Sequence, residues 1–431
     1  MKDNIKNLID SNPISKLQYA TIFVCFIMNV LDGVDILVIS YCASAIASSW
    51  NVGPEALGVV FSSGLAGIMV GSLFLAPFAD QLGRKKMIII CALLMGFSMF
   101  LTGYTQTVPQ LLILRFISGL GIGAMLASTA VLTAEFSPNR SRNFWISLVV
   151  SGNTIGAVIS GLIAAKVVPE YGWELMFKLA GIASFITLPL ILIFLSESIS
   201  YYLKKQPKGA LISANKIMHK LGFNDLTELP DKEYASKGIP VAELVSEKYK
   251  ANTLKLWLAL FMAFASMYFL ISWIPKLSEN TGLSASLAIY AGAIFNFGAF
   301  FGMLIQGYIS TRIGLRKTIA IFLIAAAVIM AIFKVFLGYN ILLLIFGVLG
   351  FTLQGGFAGL YAFAARMYPT EFRATGLGWA IGLGRLGAVF GPLIAGVLIG
   401  IGLSMTDNFK VFAIPTLLSG IIAYYIRIKN D

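Results

Sequence analysis

Residues 19–45 read YATIFVCFIMNVLDGVDILVISYCASA, an apolar run long enough to cross the hydrocarbon core of a bilayer, with Asp32 and Asp35 in its middle. A helix places Asp32 and Asp35 on nearly one face, with Asn29 a turn earlier. A carboxylate at mid-bilayer depth costs several kcal/mol unless it faces protein, water or a partner. Two of them on one helix point to a proton or substrate site; the plainer alternative is a buried salt-bridge anchor. The rest of the chain reads as the housing for this pair.

Composition supports that reading. Of 431 residues, 58% are hydrophobic and only 12% charged, which defines a polytopic all-α membrane protein rather than a soluble domain. The first 18 residues are polar and of mixed charge, and no small-residue cleavage site follows the first apolar run, so a retained first helix is expected. Cys25, Cys42 and Cys91 fall in apolar stretches without metal-ligand spacing and read as packing residues. The single histidine, His219, lies in a polar segment. Without a nucleotide loop, metal cluster or nucleophile constellation, the pattern argues against an enzyme, and neither a cofactor nor a metal is expected. The same lack of a P-loop leaves an ion gradient as the energy source.

Twelve spans are expected, near 20–45, 55–79, 87–105, 109–133, 143–166, 173–195, 254–277, 284–309, 317–337, 341–366, 374–400 and 408–427. The polar stretch 196–253 divides them six and six, which gives an N-terminal half 1–195, a cytoplasmic linker 196–253 and a C-terminal half 254–431. If both termini and the linker share one side, that side collects 25 of the 32 Lys and Arg. The other side has five, and Arg115 and Arg385 lie within helices. The positive-inside rule then makes the termini cytoplasmic, in an inner-membrane protein. Charge dispersed over short loops argues against a nucleic-acid surface. The halves also repeat. Gly71…Gly83-Arg84-Lys85-Lys86 answers Gly302…Gly314-Leu315-Arg316-Lys317, and Gly156-Ala157-Val158 answers Gly387-Ala388-Val389, at a constant offset of 231 residues. Two parallel six-helix halves with a site between them is a transporter architecture. Asp32, Asp35 and Arg115 break the repeat, because their counterparts are Ala263, Ser266 and Phe346.

The stretch Gly71 to Lys85, with Asp80, Gly83 and Arg84, resembles the signature loop of the major facilitator superfamily, although Ala76 stands where a second glycine is common. Arg115-Phe-Ile-Ser-Gly119-Leu-Gly121-Ile-Gly123 is similar to that superfamily's second motif. Within it, Asp32-Gly33-Val34-Asp35 and Gly384-Arg385-Leu-Gly387-Ala-Val-Phe-Gly391-Pro392 resemble the aromatic acid:proton symporters. Leu195-Ser196-Glu197-Ser198 looks like the sugar-porter P-E-S-P-R stretch with both prolines absent. The resemblance implies twelve helices in two pseudo-symmetric halves and proton-coupled transport.

Depth selects the site residues. At 1.5 Å per residue Arg115 lies about 8 Å into helix 4 and Asp35 about 13 Å from the outer end of helix 1, so the two are within reach of each other. Arg385 sits near mid-membrane with no acidic residue in the second half's helices to neutralise it, and a guanidinium takes a carboxylate in a bidentate fork. The expected substrate residues are therefore Arg385, Asp32, Asn153, Asn296, Gln354 and Tyr361. Phe295, Phe297, Phe300 and Phe357 are further candidates for ring-stacking walls. Asp35, Asp32 and Arg115 are assigned to proton coupling. In that scheme an ionised aspartate holds an arginine in the empty carrier, and protonation frees the arginine for substrate. Asp80, Arg84, Glu135, Arg142, Glu371 and Arg373 are placed to form a cytoplasmic gate, with Asp80 capping a helix or pairing with Arg140 or Arg142. The expected partners are protons, a small organic anion and the bilayer, for a monomer. The alternatives are an organic-cation or sugar carrier, including an antiporter, with Asp32 and Asp35 as ligands, or a non-transporting nutrient sensor.

Overall fold

The computed structural model describes residues 8–230, 241–247, 249–337, 341–368 and 373–426. Twelve helices follow in order: α1 Lys16–Trp50, α2 Pro54–Val70, α3 Arg84–Thr102, α4 Val108–Phe136, α5 Arg142–Tyr171 and α6 Trp173–Phe194, then α7 Lys250–Asn280, α8 Ala285–Ile313, α9 Leu315–Ala331, α10 Leu342–Met367, α11 Arg373–Gly400 and α12 Met405–Tyr425. Among the described residues ten of these, α2 counted with its irregular continuation to Leu82, are long and apolar enough to cross a membrane. The other two are α9, which stops after 17 residues and passes into a 3-10 turn at Phe333–Phe336, and α12, whose first turns carry Asp407, Asn408 and Lys410. These two pack on each other as α3 packs on α6.

Local chemistry sets the helix ends. Ser15 begins α1 with a capping box: its hydroxyl accepts from Gln18 N and the Gln18 side chain accepts from Ser15 N. Pro54 opens α2 at a position where no N–H is needed. Instead of one regular span over 55–79, α2 gives way to a π turn at Gly71–Leu75 and a 3-10 turn at Ala76–Phe78. Pro77 lacks the N–H that a regular ladder requires. Gly83 and Gly314 then reverse the chain at φ +100° and +88°, a region that disfavours any side chain. The linker holds two short helices, Ile199–Lys205 and Ala210–Leu221, and a 3-10 turn at Val241–Val245.

The sequence repeat is a repeat of packing. The pairs α1–α5, α2–α4, α3–α4, α3–α6 and α1–α6 have as counterparts α7–α11, α8–α10, α9–α10, α9–α12 and α7–α12. Two glycine contacts show how literal the correspondence is. A Cβ at Gly156 would lie 1.9 Å from the Val30 carbonyl oxygen, and one at Gly387 would lie 2.0 Å from that of Phe261. Gly71 meets the Leu120 carbonyl as Gly302 meets that of Phe351, at 2.2 and 2.1 Å. Small residues let helix backbones touch where lipid supplies no hydrophobic drive.

The halves meet through α1–α7, α2–α11 and α5–α8. Ser40 Oγ donates to the carbonyls of Ile271 and Ser272 at 2.8 Å, Ser62 Oγ to Val389 O at 2.7 Å, and Ser286 Oγ to Ala165 O at 2.8 Å. Phe61 stands edge-on to Trp273 at 5.2 Å. All these contacts lie toward the face opposite the Gly83 and Gly314 turns. On that side of the molecule the halves are closed together.

Candidate functional site

Asp35 of α1 and Arg115 of α4 meet inside the first half. One Arg115 terminal nitrogen stands 3.0 Å from Asp35 Oδ1, and Ser118, one turn along α4, donates to Oδ2. The other terminal nitrogen donates to Thr102 Oγ1 at 3.1 Å and reaches Met99 Sδ at 2.8 Å, while the Phe177 ring lies 4.9 Å from the guanidinium carbon. Both charged side chains are 3% exposed. A pair this dry is tolerable because its remaining polar atoms are occupied; Arg115 Nε alone lacks an acceptor.

Asp32 differs sharply from its neighbour. It is fully buried, and among the described residues neither carboxylate oxygen has a hydrogen-bond partner. A charge there would lack the hydrogen bonds that burial calls for. Asn29 donates to Cys25 O at 2.9 Å and Thr129 Oγ1 at 3.0 Å, which ties α1 to α4.

Two cavities flank this region. A pocket of about 30 Å³ lies beside the ion pair, lined by Asp35, Arg115 and Ser118 from the first half and by Tyr268 and Ser272 of α7. A larger cavity of about 660 Å³ lies toward the Gly83 face, between α2 and α4 of one half and α10 and α11 of the other. Ser72, Tyr361, Thr375, Trp379 and Arg385 are among its walls. Arg385 is half-buried there, and among the described residues no acidic side chain pairs with it. An aromatic block stands beside it. Phe264 is edge-on to Phe357 at 4.7 Å and stacked on Tyr268 at 6.1 Å, while Phe357 meets Tyr361 at 5.2 Å.

The structure brings together some expected site residues and separates others. Arg385 and Tyr361 share the large cavity; Asp32, Asn153, Asn296 and Gln354 are not among its walls. Asn153 lies where its own carbonyl meets Gly33, so it belongs to the α1–α5 contact. Asn296 is buried and donates to Gly292 O within its own helix at 2.9 Å. Gln354 keeps a buried side-chain oxygen without a partner. Among the candidate rings, Phe357 stands in the aromatic block, Phe295 is buried in the helix-packing core, Phe297 is exposed at 55%, and Phe300 packs on Phe301. The arginine held by an aspartate is Arg115, which leaves Arg385 open.

The gate residues also differ from expectation. Asp80 does not reach Arg140 or Arg142; it pairs with Arg84 at 2.6 Å, one turn away, with its carboxylate 71% exposed. Glu197 supplies the helix cap instead, accepting from the backbone N–H groups of Arg84 at 2.7 Å, Lys85 at 3.1 Å and Ser198 at 2.9 Å. A carboxylate suits the positive N-terminus of α3, and the Gly83 turn leaves it room. Arg142 donates to Ser137 O at 3.3 Å, and Glu135 keeps one buried oxygen unpartnered. Glu371 lies outside the described residues, as does the side chain of Arg373 at the start of α11. Ser118, Thr102, Glu197, Phe264 and Tyr268 were missed by sequence reasoning. Two of them carried a signal, Ser118 in its i+3 spacing from Arg115 and Glu197 in the stretch that resembles the sugar-porter motif.

A family model described as Major Facilitator Superfamily matches residues 25–247 and 256–431. The gallate transporter of Pseudomonas putida is 32% identical over 418 residues, covering 96% of this chain and 92% of that protein. The 4-hydroxybenzoate transporter PcaK of Acinetobacter baylyi is 32% identical over 426 residues, covering 97% and 93%. Among solved structures, the inward open conformation of the xylose transporter XylE from E. coli superposes with a TM-score of 0.74 at 15% identity, covering 96% of this chain and 98% of that one.

Proposed function

The chain belongs to the Major Facilitator Superfamily and is a multi-pass membrane transporter rather than an enzyme, and on that premise we propose that it carries a small aromatic monocarboxylate together with protons. The observation that carries this reading is Arg385: a guanidinium in a cavity of about 660 Å³, without an acidic partner among the described residues and with aromatic rings at its side. A substrate carboxylate takes the fork of Arg385 in two parallel hydrogen bonds, and its ring lies against Phe357 and Tyr361. Relatives named for gallate and 4-hydroxybenzoate support this substrate class.

In this reading Asp35 is the proton site. Ionised, it holds Arg115 and Ser118. Protonated, it releases the guanidinium, and the change in the buried pair alters how α1 and α4 pack within the first half. The two six-helix halves, 1–195 and 254–431, then rock about the α2–α11 and α5–α8 contacts, with 196–253 as a cytoplasmic linker. We place the monomeric carrier in the inner membrane with both termini cytoplasmic, so that the large cavity opens inward in this state. An organic-cation reading is disfavoured because Asp35 is already taken by Arg115 and Asp32 is not among the walls of the large cavity.

The test is a binding screen on purified protein with benzoate-type acids, aliphatic monocarboxylates and organic cations. Saturable binding of benzoate-type acids that Arg385→Lys weakens by about tenfold or more is the expected result. Binding confined to cations, or anion binding unchanged in a folded Arg385→Lys protein, overturns it.

A further inference from the structure

We propose that Tyr268 of α7 is the positioning residue that couples the Asp35–Arg115 pair to occupancy of the Arg385 cavity; this rests on the symport reading above.

Three observations meet at this side chain. First, Tyr268 lines the pocket of about 30 Å³ together with Asp35, Arg115 and Ser118, although it belongs to the other half of the molecule. Second, its ring lies nearly parallel to Phe264, with centroids 6.1 Å apart and planes 13° apart. Phe264 in turn stands edge-on to Phe357 at 4.7 Å and tilted against Tyr361 at 6.2 Å. A Cβ on Gly384, the residue before Arg385, would lie 2.7 Å from the Phe264 ring, so this ring is wedged against the helix that carries the substrate arginine. Third, Tyr268 packs against both hydrophobic clusters of the molecule, one confined almost wholly to the first half and one shared between the halves.

The rings therefore form a continuous train. Tyr361 lines the substrate cavity, Phe357 and Phe264 stand behind it, and Tyr268 ends the train at the pocket of the proton site. Close-packed aromatic groups move together or not at all, because the interior leaves no slack to absorb a displacement. A substrate ring that settles against Tyr361 and Phe357 must shift Phe264 and, with it, the plate over Asp35. The charged and titratable groups facing the train are Asp35 on α1, Arg115 on α4, Tyr361 on α10 and Arg385 on α11. Arg385 is within electrostatic reach of both Tyr268 and Tyr361. The role assigned to Tyr268 is that of a plate rather than a proton donor, so its ring matters more than its hydroxyl.

Proteoliposomes loaded with a pH-sensitive dye test this. Wild type should acidify the lumen down a proton gradient only when a benzoate-type acid is supplied outside. Tyr268→Ala should conduct protons with no acid present, at a rate at least threefold above protein-free vesicles, and its ratio of protons to substrate should rise accordingly. Tyr268→Phe should restore the dependence on substrate; Phe264→Ala, one ring along the train, should reproduce the leak if Tyr268→Ala does not fold. Tight coupling in both alanine variants overturns the proposal, and so does a leak in Tyr268→Phe equal to that of Tyr268→Ala. If wild type takes up no benzoate-type acid with protons, it is the symport reading that fails, a result separable from any of these.

Discussion

Asp32 and Asp35 stand one turn apart on α1 and meet opposite surroundings. Asp35 has a guanidinium and a hydroxyl; Asp32 has no hydrogen-bond partner among the described residues. That contrast is why we propose Asp35 rather than Asp32 as the coupling position. Asp35→Asn mimics the protonated acid, so substrate exchange across liposomes should persist and binding should lose its pH dependence, while accumulation driven by a proton gradient disappears. In wild type, affinity for the anion should rise as pH falls, because linkage requires proton and substrate to favour each other equally. Unchanged gradient-driven uptake in Asp35→Asn refutes the assignment. At Arg385 the issue is geometry rather than charge. Arg385→Lys keeps the charge but loses the fork, at a cost of about 1.5–3 kcal/mol. Equilibrium titration should therefore show a dissociation constant raised by about tenfold to 150-fold.

The end of α3 is held from a distance in sequence. Glu197, beyond α6, accepts the two backbone N–H groups of Arg84 and Lys85 at the start of α3, besides that of its neighbour Ser198, so α3 and α6 are clipped at the Gly83 face. Glu197→Ala removes these acceptors and the favourable charge at the helix N-terminus together, and should destabilise by about 1–3 kcal/mol. A lower midpoint in thermal melting of the detergent-solubilised protein, with Glu197→Gln in between, is the expected result. Helix contacts make a second prediction at this scale. Gly156 and Gly387 hold equivalent backbone contacts, α1–α5 and α7–α11, so Gly156→Val and Gly387→Val should destabilise alike, by about 1–3 kcal/mol or more, as overpacked sites do. A large difference between the two melts would mean that the halves do not pack as equivalents.

At the scale of the whole molecule, the halves are joined on one face and separated by a cavity toward the other. A disulfide between cysteines at Ala165 and Ser286, where α5 and α8 touch on the closed face, should hold that face shut. Transport across the membrane should stop, while benzoate-type acids still bind from the Gly83 side. Restored transport on reduction completes the test; unimpaired transport while oxidised contradicts the rocking motion. The orientation proposed from charge is tested separately at Lys220, which is exposed on the linker helix Ala210–Leu221. A cysteine there should resist an impermeant reagent added to intact cells. Ready labelling inverts the topology.

The sequence by itself determined the class, the twelve-helix fold, the repeat and the unusual placement of Asp32, Asp35, Arg115 and Arg385, because these depend on apolar length, loop charge and residue offset, all written along the chain. Even the reach of Arg115 to Asp35 followed from helical rise. Which way a side chain faces was another matter. In a soluble helix the apolar stripe marks the buried side, but lipid is as apolar as a protein core, so hydrophobicity carries little information about azimuth. That is why Asn153, Asn296 and Gln354, chosen by depth, are not among the walls of the Arg385 cavity, and why Phe297 faces outward. Only the tertiary structure decided that Arg115 rather than Arg385 holds the aspartate, that Glu197 rather than Asp80 caps a helix, and that Tyr268 of one half lies over the ion pair of the other. Each of these is a contact between segments far apart in the chain, fixed by how close the glycines let the helices come.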